Sequence, residues 1–229
     1  DPATAEILCP TTHPIGTKRI CIDNGYYQTF NRDNVDLVDI SETPIERMTE
    51  TGFPVGDRTF AFDAIVFATG FDAMTGTLFN VDIRGRKGLA LKQKWEAGPR
   101  TYLGLMSESF PNLFMITGPQ APFANLPTSI EQNIVYIVDC IKKMESEGYD
   151  LCEPQQKAED DWVQHVAEIH EQTLMAQGDK VHSWMMGANI ENRTPRVLIY
   201  FGGANVYYDL MRSSVDAGFP EVQFEKLAS

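Results

Sequence analysis

The chain has 229 residues, 43% of them apolar, with 32 acidic against 19 basic residues and a net charge of −13. That length buries a real core and suits one or two domains. The acidic excess argues against nucleic acid or an anionic membrane surface as partner. No apolar run approaches the ~20 residues of a membrane span. No leader-like segment is visible, although the chain begins at Asp1 rather than Met. An anionic cofactor stays open, because a few local cations set the field of one site. Cys9, Cys21, Cys140 and Cys152 form no Cys-x-x-Cys pair and have no histidine at metal-ligand spacing. They imply reduced, mostly buried thiols in a cytoplasmic protein and no metal centre.

In chain order, a short helix is expected over Thr4 to Leu8, followed by a Pro-punctuated loop to Pro14. Val35 to Ile40 alternates apolar and acidic residues, as a half-exposed strand does. Ile45–Met48 and Thr59–Phe62 flank a turn at Gly52 to Gly56, which reads as a hairpin. Ala64 to Ala68 is a short apolar run that closes on the glycine turn of Asp63-Ala-Ile-Val-Phe-Ala-Thr-Gly-Phe-Asp72, the pattern of a buried central strand. Ligands of α/β sheets sit beyond such strand ends, where glycine admits close backbone approach. A plain strand and plain turn fit the same residues. Further strands are expected at Gly85–Leu91, Tyr102–Met106, Leu113–Thr117 and Arg196–Phe201. Helices are expected from Pro127 or Thr128 to Met144, from Pro154 to Leu174, and from Ala204 to Ala217. In the first of these, Ile130, Ile134, Ile137, Val138 and Ile141 follow helical spacing and read as core. The alternation of strands and helices gives an α/β class.

Three stretches have the residue types of a binding site. Lys18-Arg19 follows a glycine turn: lysine suits a phosphate as a point charge, arginine a spread oxyanion. Gly118-Pro-Gln-Ala-Pro-Phe-Ala-Asn-Leu-Pro127 is a stiff loop with three prolines that enters a helix. The free N–H groups at Thr128-Ser129 then form a positive helix end. Trp184, in Ser183-Trp-Met-Met-Gly-Ala-Asn189, carries an N–H for a ribose or pocket contact. Each also fits a bland role: an exposed basic pair, a connector, a core tryptophan.

Taken together, these stretches resemble one family. Ala68-Thr-Gly-Phe-Asp-Ala73, Gly16-Thr-Lys-Arg19, Phe30-Asn-Arg-Asp-Asn-Val35, Asp82-Ile-Arg-Gly85, Gly98-Pro-Arg-Thr-Tyr-Leu-Gly104, Phe110-Pro-Asn-Leu-Phe114 and Ser183–Asn189 look like flavin-dependent Baeyer–Villiger monooxygenases, in that family's order along the chain. The wording of the 118–127 loop is similar to the cyclohexanone monooxygenase type. The family's two Gly-x-Gly-x-x-Gly loops are absent, so the likeness is to the carboxy-terminal portion. The resemblance implies the second halves of two discontinuous dinucleotide-binding, Rossmann-like domains. Residues 1–17 would end a helical insertion, 18–62 the NADP domain and 63–229 the FAD domain. It implies FAD and NADPH as cofactors, a ketone and O2 as substrates, and the amino-terminal half of the same enzyme as partner.

It also implies residue roles. Arg19 stabilises the anion formed with O2 and then the tetrahedral adduct of the ketone, while Lys18 holds the 2′-phosphate of NADPH. Trp184 contacts the nicotinamide cofactor. Gly70, Asp72, Gly118, Pro119, Thr128 and Ser129 lie by the cofactors, and Pro122, Phe123, Asn125 and Leu126 line the substrate pocket. Two other readings remain open: a flavin N- or S-oxygenase, which does not need Arg19 as anion stabiliser, and a cofactor-free fragment that only associates with an amino-terminal partner.

Overall fold

The computed structural model describes residues 1–190 and 194–227. It is a mixed helix and strand protein in two compact units. One comprises residues 1–13 and 19–70, the other residues 14–18 and 71–229.

In the first unit, α1 (Pro2–Leu8) starts at Asp1, whose carboxylate accepts from the Thr4 N–H at 3.0 Å. This N-cap satisfies a donor that the first helical turn leaves over. A single turn, α2 (Tyr26–Thr29), follows. The hairpin is real but shifted from expectation. It pairs β1 (Gly52–Val55) with β2 (Arg58–Ala61) in antiparallel register, Gly52 opposite Ala61 and Val55 opposite Arg58. A Cβ at Gly52 would lie 1.9 Å from the Phe60 carbonyl oxygen, so only glycine fits there. Ile45–Met48 is not a strand, and neither is Val35–Ile40.

The central strand expected at Ala64–Ala68 does not form, and Val66 and Phe67 are 87% and 65% exposed. The physical reason is the ladder. A buried strand takes its hydrogen bonds from neighbours on both edges, and no described residue pairs with this run.

The second unit contains α3 (Gly76–Phe79), α4 (Leu91–Lys94), α5 (Leu126–Glu147), β3 (Leu151–Pro154), α6 (Gln156–Glu171), α7 (Ala204–Asp216) and β4 (Val222–Glu225). Its main core joins Tyr136 and Cys140 of α5, Trp162 and Val166 of α6, and Tyr207 and Met211 of α7. β3 and β4 pair antiparallel across about seventy intervening residues, Leu151 opposite Glu225. These four-residue runs carry too little pattern to be read from sequence. The expected strand at Gly85–Leu91 is instead a 3-10 turn at Arg86–Gly88 leading into α4, closed by an isolated Arg84–Ala90 bridge. Tyr102–Met106 is a tight turn, with Leu103 and Gly104 both at positive φ. Among the described residues, Leu113–Thr117 has no ladder, and Arg196–Phe201 makes only the Tyr200–Pro122 bridge.

α5 ends where Gly148 turns left-handed and the Tyr149 N–H reaches back to the Met144 carbonyl, a standard C-terminal cap. Its apolar stripe is not in the core as expected. The buried row is Ser129, Asn133, Tyr136 and Cys140, while Ile134, Val138 and Ile141 are 42%, 39% and 39% exposed. Hydrogen bonds explain this orientation. Ser129 and Tyr208 hydroxyls lie 2.8 Å apart, and Asn133 Nδ2 donates to the Tyr207 hydroxyl at 3.2 Å. Cys140 and Cys152 are buried free thiols with Sγ atoms 3.8 Å apart, whereas Cys9 and Cys21 are exposed, which corrects the expectation of mostly buried thiols.

Glu159, fully buried at the start of α6, organises the connection between α4 and α6. Its carboxylate accepts from Lys94 Nζ at 2.9 Å, Arg100 Nε at 3.3 Å, the Ser107 hydroxyl at 3.1 Å and the Glu108 N–H at 2.8 Å. Removing such a carboxylate strands buried donors and a partly buried cation, at a cost of ~3–5 kcal/mol. Glu159→Ala therefore lowers the urea midpoint without changing the slope of the transition. An unchanged midpoint would show that the cluster adds nothing.

The same cluster sets a pH window. Burial pushes the Lys94 amine down, but the hydrogen bonds it donates to Glu108 and Glu159 outweigh this and hold the amine above its usual range. Burial likewise raises the Glu108 carboxyl, but Lys94 and Ser109 hold it below its usual range. The lysine contribution is lost as pH rises past ~10.4, and the glutamate contribution as pH falls below ~4.3.

Candidate functional site

Three stretches that lie far apart in sequence meet in the second unit. The first is the turn after Gly70. The Thr75 hydroxyl donates to Asp72 Oδ1 at 2.9 Å, and the Gly76 N–H donates to the Asp72 carbonyl at 3.1 Å. Asp72 thus fastens the start of α3. The second is the loop carrying Trp184, a 3-10 turn over Trp184–Met186 in which the Ser183 side chain accepts from the Met185 N–H. The third is the proline-rich loop ahead of α5.

Two contacts join them. Asn189 Nδ2 donates to the Phe71 carbonyl at 3.3 Å, tying the Trp184 loop to the Asp72 turn. The Phe123 and Trp184 rings meet edge-on with centroids 6.0 Å apart, tying the Trp184 loop to the proline-rich loop. Behind them a small apolar cluster of Met185, Leu198 and Ile199 supports Met74, Met175 and Trp184. The segment 14–18 reaches the same region, because a Cβ on Gly16 would sit 3.0 Å from the Met175 methyl. Lys18 ends that segment. It is exposed, after a bend held by the Thr17 hydroxyl donating to the Pro14 carbonyl at 2.7 Å.

The proline-rich loop is fixed from beneath. Thr117 and Gln120 both take left-handed backbone conformations. The Thr101 N–H donates to Gln120 Oε1 at 3.1 Å, the Gln120 N–H to the Leu198 carbonyl at 2.7 Å, and the Tyr200 N–H to the Ala121 carbonyl at 3.0 Å. A Cβ at Gly118 would lie 2.5 Å from the Gly104 carbonyl oxygen, so protein packing accounts for that glycine. Pro119 and Pro122 are buried, and Phe123, Asn125 and Leu126 are exposed. The first turn of α5 has no side-chain cap from Asn125. Thr128 is exposed there, while Ser129 turns inward to Tyr208.

Gly70 and Arg19 belong to the first unit. Gly70 has φ +94 with open space where a side chain would be, so backbone conformation alone demands glycine there. Arg19 is exposed. Sequence reading missed Gln120. It is fully buried, and its Nε2 has no hydrogen-bond partner among the described residues. A polar residue between two prolines of an otherwise small and apolar loop was the available signal. Among the described residues no group of three or more His, Cys, Asp or Glu side chains is placed to hold a metal, and no helix is long and apolar enough to cross a membrane.

No protein-family model matches the chain. Individual proteins do. Over all 229 residues it is 39% identical to a Baeyer-Villiger monooxygenase of Pseudooceanicola batsensis, of which it covers 41%. Over 220 residues it is 40% identical to the phenazine N-monooxygenase PhzNO1 of Lysobacter antibioticus, of which it covers 40%. A crystal structure of cyclohexanone monooxygenase from Rhodococcus sp. Phi1 bound to NADP+ superposes on 99% of the chain with a TM-score of 0.92 and 38% identity, and 42% of that protein is matched. The chain thus spans about two fifths of the length of these relatives.

The ring contact is directly testable. Phe123→Ala removes an edge-to-face pair of the kind that contributes about 0.5–1.5 kcal/mol and uncovers Trp184. Trp95 and Trp162 stay buried. Acrylamide quenching of tryptophan emission is expected to rise in the variant. Equal quenching in both proteins would mean that Phe123 does not shield the indole.

Proposed function

We propose that this chain is the carboxy-terminal portion of a flavin-dependent Baeyer–Villiger monooxygenase and that it completes an FAD- and NADPH-dependent enzyme of the cytoplasm. That enzyme inserts one oxygen of O2 next to a ketone carbonyl, in cyclic ketones by preference, giving a lactone or ester. In this reading the chain supplies the second halves of two discontinuous Rossmann-like domains, residues 18–62 to the NADP domain and 63–229 to the FAD domain. On its own it is inactive and needs the amino-terminal polypeptide.

The observation that carries the site is the joining of three motifs by Asn189 on Phe71 and by Phe123 on Trp184. Together they form a supported rim of loops at the entrance to α5. The residues present fit a flavin. The uncapped first turn of a 22-residue helix offers donors and a positive end to an electron-rich ring edge.

When bound, flavin activates O2 and NADPH supplies the hydride. The protein's part is position and field. Thr128 at the start of α5, with Gly118 and Pro119 in the loop before it, would help hold the flavin, while Ser129 braces that turn through Tyr208. Asp72 anchors the turn next to Gly70. Pro122, Phe123, Asn125 and Leu126 wall the ketone site and exclude water, and Trp184 closes over the nicotinamide cofactor. Arg19 places a fixed cation where negative charge develops on oxygen as the ketone carbonyl is attacked. Lys18 holds the 2′-phosphate of NADPH as a point charge. The likeness to a phenazine N-monooxygenase supports nitrogen oxygenation as a second reading. The two differ in their need for Arg19, because a protonated oxygen donor attacking nitrogen needs no anion stabiliser.

In the complete enzyme, Arg19→Ala is expected to abolish ketone oxygenation while flavin reduction by NADPH persists, since the cation is needed only after O2 has reacted. Stopped-flow reduction beside product analysis checks this, and lactone formation near the parent rate would remove Arg19 from the chemistry. Lys18→Ala is expected to weaken NADPH but not NADH. The loss of a charge-assisted contact of about 1.5–3 kcal/mol corresponds to roughly ten- to hundredfold. Equal losses for both coenzymes in steady-state kinetics would assign Lys18 to the shared pyrophosphate or to structure.

A further inference from the structure

The two buried cysteines of the second unit meet inside one core. Cys140 lies on α5, about two turns before its Gly148 stop, and Cys152 lies on β3 opposite Phe224 of β4. They are 0% and 1% exposed, and the Cys140 thiol donates to the Cys152 sulfur at 3.8 Å. A disulfide needs ~2.05 Å between its sulfurs, so the pair stands about 1.8 Å short of bonding distance. A core thiol commonly serves as a small hydrophobe among carbon neighbours. Here each thiol faces the other from a different element.

The surroundings make the two sulfurs unequal. Asn112 clasps Cys152. Its N–H donates to the Cys152 carbonyl at 2.9 Å, and the Cys152 N–H donates to Asn112 Oδ1 at 3.0 Å. Asn112 Nδ2 also donates to the Asp150 carbonyl at 3.0 Å. The backbone at Cys152 is thus held by Asn112 on one edge, while β3 pairs with β4 on the other. The hydrogen bond from Cys140 holds the Cys152 thiol below its usual range, against burial and with help from the Asn112 backbone. That same hydrogen bond, together with burial, pushes the Cys140 thiol up. Cys152 is therefore the sulfur that gives up its proton first, with Cys140 beside it as the second thiol.

We propose that Cys140 and Cys152 form a reversible disulfide, with hydrogen peroxide as the oxidant. The Cys152 sulfur attacks one peroxide oxygen and the O–O bond breaks. Hydroxide leaves as water with the proton that the thiol gave up, and Cys152 becomes a sulfenic acid. The Cys140 sulfur then attacks the Cys152 sulfur, the S–O bond breaks, and a second water carries off the Cys140 proton. Two electrons pass from the two thiols to the peroxide, which is reduced to two waters. A small neutral oxidant suits buried sulfurs, whereas a bulky disulfide such as oxidised glutathione finds no exposed sulfur to meet. In a reducing compartment such a bridge is transient and responds to oxidant rather than building structure. Neither flavin, ketone nor the amino-terminal polypeptide takes part in it.

The test uses the complete enzyme that contains this chain, folded, with its accessible thiols first blocked by N-ethylmaleimide. Hydrogen peroxide is added, the remaining thiols are alkylated with iodoacetamide under denaturation, and the tryptic peptides are weighed. Trypsin cuts after Lys142 and Lys143, so the bridge is read as two linked peptides, one with Cys140 and one with Cys152, which dithiothreitol separates. Linked peptides are expected after peroxide, and oxidised glutathione at the same concentration is expected to yield at least about tenfold fewer. Cys140→Ala is expected to stop at the Cys152 sulfenic acid, which dimedone traps, and Cys152→Ala to leave Cys140 without dimedone label. Recovery of both cysteines as iodoacetamide adducts after peroxide overturns the proposal, and so does oxidation of either one without linked peptides. Equal yields from the two oxidants, or dimedone on Cys140 in Cys152→Ala, overturn the assigned oxidant and the assigned order of attack. The parent enzyme decides whether the bridge forms even if the variants do not fold.

Discussion

A strand inside a sheet is stable only while neighbouring backbone completes its hydrogen-bond ladder, and that requirement governs this chain. The apolar runs Ala64–Ala68 and Leu113–Thr117 have strand composition but no ladder. Val66, Phe67 and Ile116 are consequently exposed. Among the described residues, the two sheets are antiparallel pairs of four-residue strands, which need nothing beyond each other.

Where partners are present, buried polar groups fix the second unit. Glu159 gathers Lys94, Arg100 and Ser107, and Glu153 takes Arg86 and Gln223. Tyr207 donates to the Leu103 carbonyl at 2.6 Å while accepting from Asn133. Such groups are costly to bury unless satisfied, so they admit few alternative arrangements. They hold α5, α6 and α7 as one scaffold, and the scaffold holds the loops. Binding residues on loops depend on that support, here through Thr101 beneath the proline-rich loop and Ile199 beneath the Trp184 loop.

Helices were legible in the sequence because their signals are local. The proline near the start of α5, its glycine stop and its 3.6-residue periodicity all lie within the segment itself. The side that α5 buries was not legible, because Ser129 and Asn133 look like solvent residues until Tyr207 and Tyr208 are brought opposite them from about eighty residues away. Strands were read from composition and mostly failed for want of partners. The first strand of the hairpin lies seven residues beyond its expected place, where Gly52 and Pro54 disguise β1. The motifs around Asp72, Phe123 and Trp184 were legible as separate pieces, and their meeting through Asn189 was not. Arg19 and Lys18 take their proposed roles from family resemblance alone.

In the proposed reading this chain carries part of a flavin site that the amino-terminal polypeptide completes. Titration of the purified chain with FAD, followed by flavin fluorescence, tests it most directly. No saturable binding is expected from the chain alone, and one FAD per chain once the amino-terminal polypeptide is added. Stoichiometric, tight FAD binding by the chain alone would contradict it.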